Sequence, residues 1–213
     1  MKEPDAAAVL NGLRDADDLD MAASVVHEVA DPQIVRPLKV LFVCTANICR
    51  SPYMQLATQR LLGPDSGVEV SSAGTHGFID QPMSEELAGG YETEAESFRS
   101  RRATGELIAQ ADVVLTAEAA HRRFLLEEHP DAFRKIFTLG QFAESVARLT
   151  AGAGGLNGHD LIAEVGRHRT SADATHDVGD PYRRGPEVAR ACAARIDALL
   201  AVIVPALRPI TSP

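Results

Sequence analysis

From Lys39 onward the chain alternates short, almost wholly apolar runs with longer stretches whose apolar residues recur every three or four positions. Lys39-Val40-Leu41-Phe42-Val43 is nearly all apolar, the pattern of a strand buried on both faces of a parallel sheet. Pro52 suits the first turn of a helix after it, with Met54, Ala57 and Leu61 along one side. Residues 68–72 predict a second strand with Gly74 as its turn, and a polar helical region follows over about 84–110. Residues 112–116 predict a third strand, 118–128 a helix, and 135–139 a fourth strand. A last helix starts at Pro186 and keeps Val188, Cys192, Ile196, Leu199 and Ile203 at helical spacing down to Pro205. Strands alternating with helices predict an α/β fold: a three-layer, doubly wound, four-stranded parallel sheet flanked by helices. Ligands of such sheets bind at the carboxyl ends of the strands.

Two stretches stand outside this alternation. In residues 1–37 eight acids face three bases, so this stretch carries −5 of the formal net charge of −9. Ala22, Ala23, Val26, Val29 and Ala30 give it only a weak helical stripe before Pro32, and it reads as an acidic N-terminal extension. Residues 150–177 are rich in Gly, Ala, Asp, His and Thr and read as an inserted loop within a domain spanning 38–210.

Composition narrows the function classes. With 45% hydrophobic and 24% charged residues, the chain of 213 is too apolar for wholesale disorder. Thirty acids against 21 bases argue against a nucleic-acid binder, whose phosphate affinity needs clustered Lys and Arg. Three cysteines cannot build a disulfide scaffold, which points to a reducing compartment. The start, MKEPDAAAVLNGL, lacks the basic end and apolar run of a signal peptide. The longest apolar stretch, 198–204, is far short of the roughly 20 residues that cross a bilayer. The expectation is a cytoplasmic protein without membrane or nucleic-acid partners.

The chemistry concentrates where the first strand ends, at Cys44-Thr45-Ala46-Asn47-Ile48-Cys49-Arg50-Ser51-Pro52. A thiol, a short loop, an arginine and a helix start fall within one turn of chain. Backbone N–H groups of such a loop, with the helix N-terminus, converge on an anion. The same field favours a thiolate at Cys44. Arg50 offers a planar fork for two phosphate oxygens, and Ser51 can donate to the Cys44 sulfur. The sum is a phosphate-sized pocket, lined by Thr45, Ala46, Asn47, Ile48, Cys49 and Ser51, with a soft nucleophile at its floor.

On these residues the chain resembles the low-molecular-weight protein tyrosine phosphatase family, whose signature is a Cys, five residues and Arg-Ser-Pro after the first strand. The likeness extends through Ser71-Ser72-Ala73-Gly74-Thr75, Ser100-Arg101, Ala111-Asp112 and Phe137-Thr138-Leu139, to Asp180-Pro181-Tyr182 and the final helix. It covers most of 38–207, making 38–210 a phosphatase domain. The resemblance implies metal-free hydrolysis of a phosphotyrosine protein or small aryl phosphate in two steps. Cys44 attacks, Arg50 stabilises the transferring phosphoryl group, and Asp180 acts as acid and then as base toward water. Tyr182 resembles the aromatic wall of the family's cleft, and Asn47 the residue that braces its loop. Phe98 stands where members often carry a His before Arg101, and Arg183-Arg184 stand where they often carry a second Tyr. The latter favours acidic flanks in a substrate. His76 and Phe78 are both candidates for the pocket mouth.

Other readings remain beside these. Asp173 and Asp177 compete with Asp180 as the acid, though only Asp180 has the Pro-Tyr context. Cys49 either traps Cys44 as a protective disulfide or faces the loop interior, while Cys192 belongs to the core. His159, His168 and His176 lack metal-ligand spacing, and Arg101-Arg102 and Arg122-Arg123 read as exposed helix faces. Two alternative functions follow from the same loop. One is a thiol-dependent arsenate reductase of this fold, although no Cys lies between Cys49 and Cys192 to relay electrons. The other is a catalytically weak phosphate-binding or scaffolding module.

Overall fold

A computed structural model describes residues 36–152, 156 and 158–208. The acidic extension and its weak helical stripe lie outside the described residues, apart from Arg36 and Pro37. Four strands form one sheet: β1 (Leu38–Cys44), β2 (Val68–Gly74), β3 (Val113–Thr116) and β4 (Ile136–Thr138). Their order is β2-β1-β3-β4 and every pairing is parallel, the doubly wound arrangement that the sequence predicts. In register, Cys44 lies beside Gly74 of β2, and Val43 beside Thr116 of β3.

The all-apolar runs have the burial that their pattern implies. Alternate β1 side chains serve two cores. Val40, Phe42 and Cys44 join one, and Leu41 and Val43 join the other. The first core is covered by α1 (Arg50–Leu62), α5 (Leu139–Gly152), α6 (Gly158–Arg167) and α7 (Pro186–Leu207). The second is covered by α3 (Gly105–Gln110) and α4 (Ala119–Glu128), through Ile108 and Leu125. The chain leaves β1 toward β2 on one side and later reaches β3 on the other. The crevice at the carboxyl end of β1 is therefore the topological switch point.

Two expectations are corrected. The polar region over 84–110 is not one helix. A 3-10 turn at Glu85–Leu87 and α2 (Glu92–Ser97) are separated by a turn at 88–91, and α2 and α3 by the non-helical stretch 98–104. Gly90 adopts φ +80°, which no helix can include, and Phe98 is extended at φ −66°, ψ 140°. Residues 150–177 are not a loop throughout. Helix α5 runs on to Gly152, and α6 buries Leu161, Ile162 and Val165, a spacing that puts all three on one face. The Gly, Asp and His content of this stretch masked that stripe.

Candidate active site

The nine residues from Cys44 to Pro52 sit at the switch point. Cys44 closes β1, residues 45–49 turn, and Arg50 opens α1. The turn is built against the end of β2 with no space to spare. A Cβ on Gly74 would lie 2.7 Å from the Thr45 carbonyl oxygen and 2.9 Å from the Ala46 carbonyl carbon. Thr75 N–H donates to the Cys44 carbonyl at 2.9 Å and His76 N–H to that of Thr45 at 2.8 Å. Asn47 takes the left-handed conformation at φ +57°, which Asn tolerates better than most residues. It is fully buried. Its Nδ2 donates to Ser51 Oγ and to Ser72 Oγ, both at 2.9 Å, and its Oδ1 accepts from the Arg101 N–H at 2.9 Å. Asn47 is therefore braced from three sides without the histidine that Phe98 replaces.

Ser51 Oγ lies 3.1 Å from Cys44 Sγ and 3.2 Å from the Ala73 carbonyl oxygen. It has one proton for the two. The Cys44 sulfur and the Ala73 carbonyl oxygen are the two acceptors within its reach.

Arg50 is 2% exposed, and its guanidinium is fixed by groups that are far apart in sequence. Nη1 donates to Glu118 Oε1 at 2.5 Å and to the Val178 carbonyl at 2.9 Å. Nη2 donates to Thr45 Oγ1 at 3.3 Å and lies 3.3 Å from Asp180 Oδ1. Burial opposes its charge, but Cys44, Glu118 and Asp180 outweigh burial and raise its pKa above the ordinary value. Its Nε is buried with no partner among the described residues, a donor free for an incoming oxygen.

Glu118, His121 and Val178 were not singled out by the sequence. Glu118 is the N-cap of α4, and His121 completes a capping box with it. The Glu118 N–H donates to His121 Nδ1 at 3.1 Å, so the proton of the neutral imidazole sits on Nε2 and goes to Thr45 Oγ1 at 2.8 Å. Burial first, then Arg50, lowers the His121 pKa to about 4. A Glu or Asp before an apolar helix with His three residues on is the one signal that could have marked this box, and it is a weak one. Val178 acts through its backbone, which leaves no side-chain trace.

The remaining candidates fall as follows. Asp180 is beside Arg50, whereas Asp177 Oδ1 accepts from the Ala119 N–H at 2.7 Å and Asp173 caps a short 3-10 turn at Ala174–His176. A cavity of about 240 Å3 is lined by Cys44, Thr45, Ala46, Ile48, Cys49 and Arg50, with Gly77, Phe78, Asp180 and Tyr182 at its mouth. Phe78 thus borders the cavity, while His76 does not line it and packs tilted against Phe124, with ring centroids 4.5 Å apart. Cys49 is buried, and burial chiefly pushes its pKa up to about 12. Cys192, in the core as expected, is pushed to about 11 in the same way. His176 is buried against Glu144 Oε2 at 2.6 Å, and His168 lies 3.0 Å from Glu164.

This pocket presents an arginine, a thiol and a carboxylate on a doubly wound sheet, the make-up of an enzyme that works on phosphate groups. Residues 39–152 match the family model described as low molecular weight phosphotyrosine protein phosphatase. The chain belongs to that family, whose protein-tyrosine-phosphatase members are hydrolases of phosphoric monoesters. The low molecular weight protein-tyrosine-phosphatase Etp of Escherichia coli is 32% identical over 108 residues, 49% of this chain and 71% of that protein. A protein-arginine-phosphatase of Geobacillus stearothermophilus is 35% identical over 111 residues, 50% of this chain and 72% of that one. Among solved structures, the YwlE arginine phosphatase of Geobacillus stearothermophilus superposes with a TM-score of 0.59 at 28% identity, covering 79% of this chain and 92% of its own. The low molecular weight protein tyrosine phosphatase from T. tengcongensis gives 0.58 at 27%, covering 79% and 98%.

Proposed function

We propose that the chain hydrolyses phosphotyrosine, and small aryl phosphate monoesters, through a cysteinyl-phosphate. The observation that carries this reading is the convergence of Cys44, Arg50 and Asp180 on one cavity, with Asp180 3.3 Å from the Arg50 fork. The Cys44 sulfur attacks phosphorus as the P–O bond to the phenol breaks, and protonated Asp180 gives its proton to the leaving oxygen. Water then attacks the cysteinyl-phosphate and yields its proton to Asp180, releasing inorganic phosphate and the Cys44 thiolate. Arg50, held in place by Glu118 and the Val178 carbonyl, offers the phosphoryl group its free Nε and, as substrate displaces the Asp180 contact, its Nη2. Ser51 stabilises the sulfur as it attacks and as it leaves.

Substrate class is supported by the walls. Ile48, Phe78 and Tyr182 give the cavity an apolar entrance that suits an aromatic ring. Phosphoarginine, suggested by the names of a curated relative and of a solved structure, is the comparison substrate. The arsenate-reductase alternative is weaker, because a relay needs a second thiolate. Cys49 and Cys192 are buried with pKa values of about 12 and 11. In this proposal residues 38–210 are the phosphatase domain, 1–37 are an extension of it, and three unpaired thiols suit a reducing cytoplasm.

The test is turnover of an aryl phosphate and of matched phosphotyrosine and phosphoarginine peptides. Cys44→Ser should abolish all of it. Asp180→Asn should cost about 10²-fold or more, with the largest loss for poor leaving groups. Undiminished turnover by Cys44→Ser would refute the mechanism, and preference for phosphoarginine would refute the substrate class.

A further inference from the structure

The loop carrying Asp180 has a feature that phosphate chemistry leaves unused. Arg183 adopts φ +56°, in the left-handed region where a long L side chain is uncommon. Its guanidinium lies over the Tyr182 ring, 5.0 Å from the centroid. Tyr182 is 39% exposed and forms part of the cavity mouth, so the charge stands at the rim of the cavity. Among the described residues no acidic side chain pairs with it. Its neighbour Arg184 is committed to the loop itself, donating from Nη1 to the Asp180 carbonyl at 3.3 Å. Elsewhere on the mouth, Phe78 is exposed and apolar, as is the adjacent Ile79, and next in the chain Asp80 lies 3.8 Å from Arg99.

We propose that Arg183 is a specificity residue that reads a carboxylate flanking the phosphotyrosine, so that the substrates are acidic phosphotyrosine segments. This rests on the phosphatase reading above and deepens it. A phosphotyrosine with its phosphate on Arg50 and its ring beside Tyr182 brings the adjoining residues of its own chain to the rim where Arg183 stands. The chain as a whole carries −9 and repels an acidic peptide at long range. A single unpaired arginine at the mouth reverses that locally, with an effect that salt screens.

The experiment uses the full chain and three substrates. Two are phosphotyrosine peptides of equal length with either Asp/Glu or Asn/Gln beside the phosphotyrosine, and the third is a small aryl phosphate with no flanks. The native protein should favour the acidic peptide about threefold in kcat/KM at low salt, falling toward unity at high salt. Arg183→Gln should remove the preference and Arg183→Glu should invert it. The flankless substrate should be turned over alike by all three proteins, which separates charge reading from damage to the loop. No preference in the native protein, or a preference that survives Arg183→Glu, overturns the proposal. Failure on the small aryl phosphate by the native protein would instead overturn the phosphatase reading beneath it.

Discussion

The hydroxyl of Thr45 accepts from both His121 and Arg50, and through it a neutral histidine joins the setting of a charged arginine. Protonating His121 would put a second cation against Arg50 in a buried place. Its folded pKa of about 4 lies below the ordinary 6.5, so its contribution is complete above pH 6.5 and is lost as pH falls toward 4. We expect about 3 kcal/mol of stability to disappear across that window. In His121→Gln this part of the pH dependence should vanish, as read from urea midpoints at pH 7 and pH 4.5. An unchanged slope would remove His121 from the account. At this scale the sequence was informative where chemistry needs a rare residue in a fixed context, as at Cys44, Arg50 and Asp180-Pro181-Tyr182. It was silent on Glu118, because an acidic residue before a helix has an ordinary capping role, and only the fold shows that its carboxylate also reaches Arg50.

Among the elements, the end of β2 and the helix α6 invite the sharpest tests. Gly74→Ala would drive a methyl into the Thr45 and Ala46 backbone, which cannot move without displacing residues 45–47. The expected outcome is about 1–3 kcal/mol of lost stability together with a large fall in kcat. Normal kinetics would mean that the turn adapts. Leu161 of α6 is fully buried, so Leu161→Ala should cost about 2–5 kcal/mol in a denaturant titration. A negligible cost would restore the loop that composition suggested for 150–177. Strands β1, β3 and β4 were legible as short apolar runs and the last helix by its apolar spacing, whereas β2 was marked by Val68, Val70 and its closing Gly74. The stretch over 84–110 misled because short helical turns between glycines share the polar composition of one longer helix.

For the whole molecule, the match to the family model ends at residue 152, but the site closes only at 178–182. Helix α7 also lies beyond that point, and its Ile196, Leu200 and Ile203 share a core with Val40 and Phe42. A chain ending at Gly152 should therefore show no cooperative unfolding transition, and a sharp one would contradict the packing described. The three cysteines give a second global test. Iodoacetate at pH 7.5 should modify Cys44 alone in the native protein, since Cys49 and Cys192 remain thiols there, and mass spectrometry of the peptides reads this directly.

Val178 shows how these parts communicate. Its amide donates to the Ala117 carbonyl beyond β3, while its own carbonyl receives Arg50. One residue thus stitches the acid-bearing segment to both the sheet and the phosphate fork. Whatever occupies the fork and steadies Arg50 will also slow the breathing of that segment. Amide hydrogens near Val178 would then exchange with solvent more slowly in saturating inorganic phosphate, making occupancy of the pocket visible as a time constant rather than as a shape.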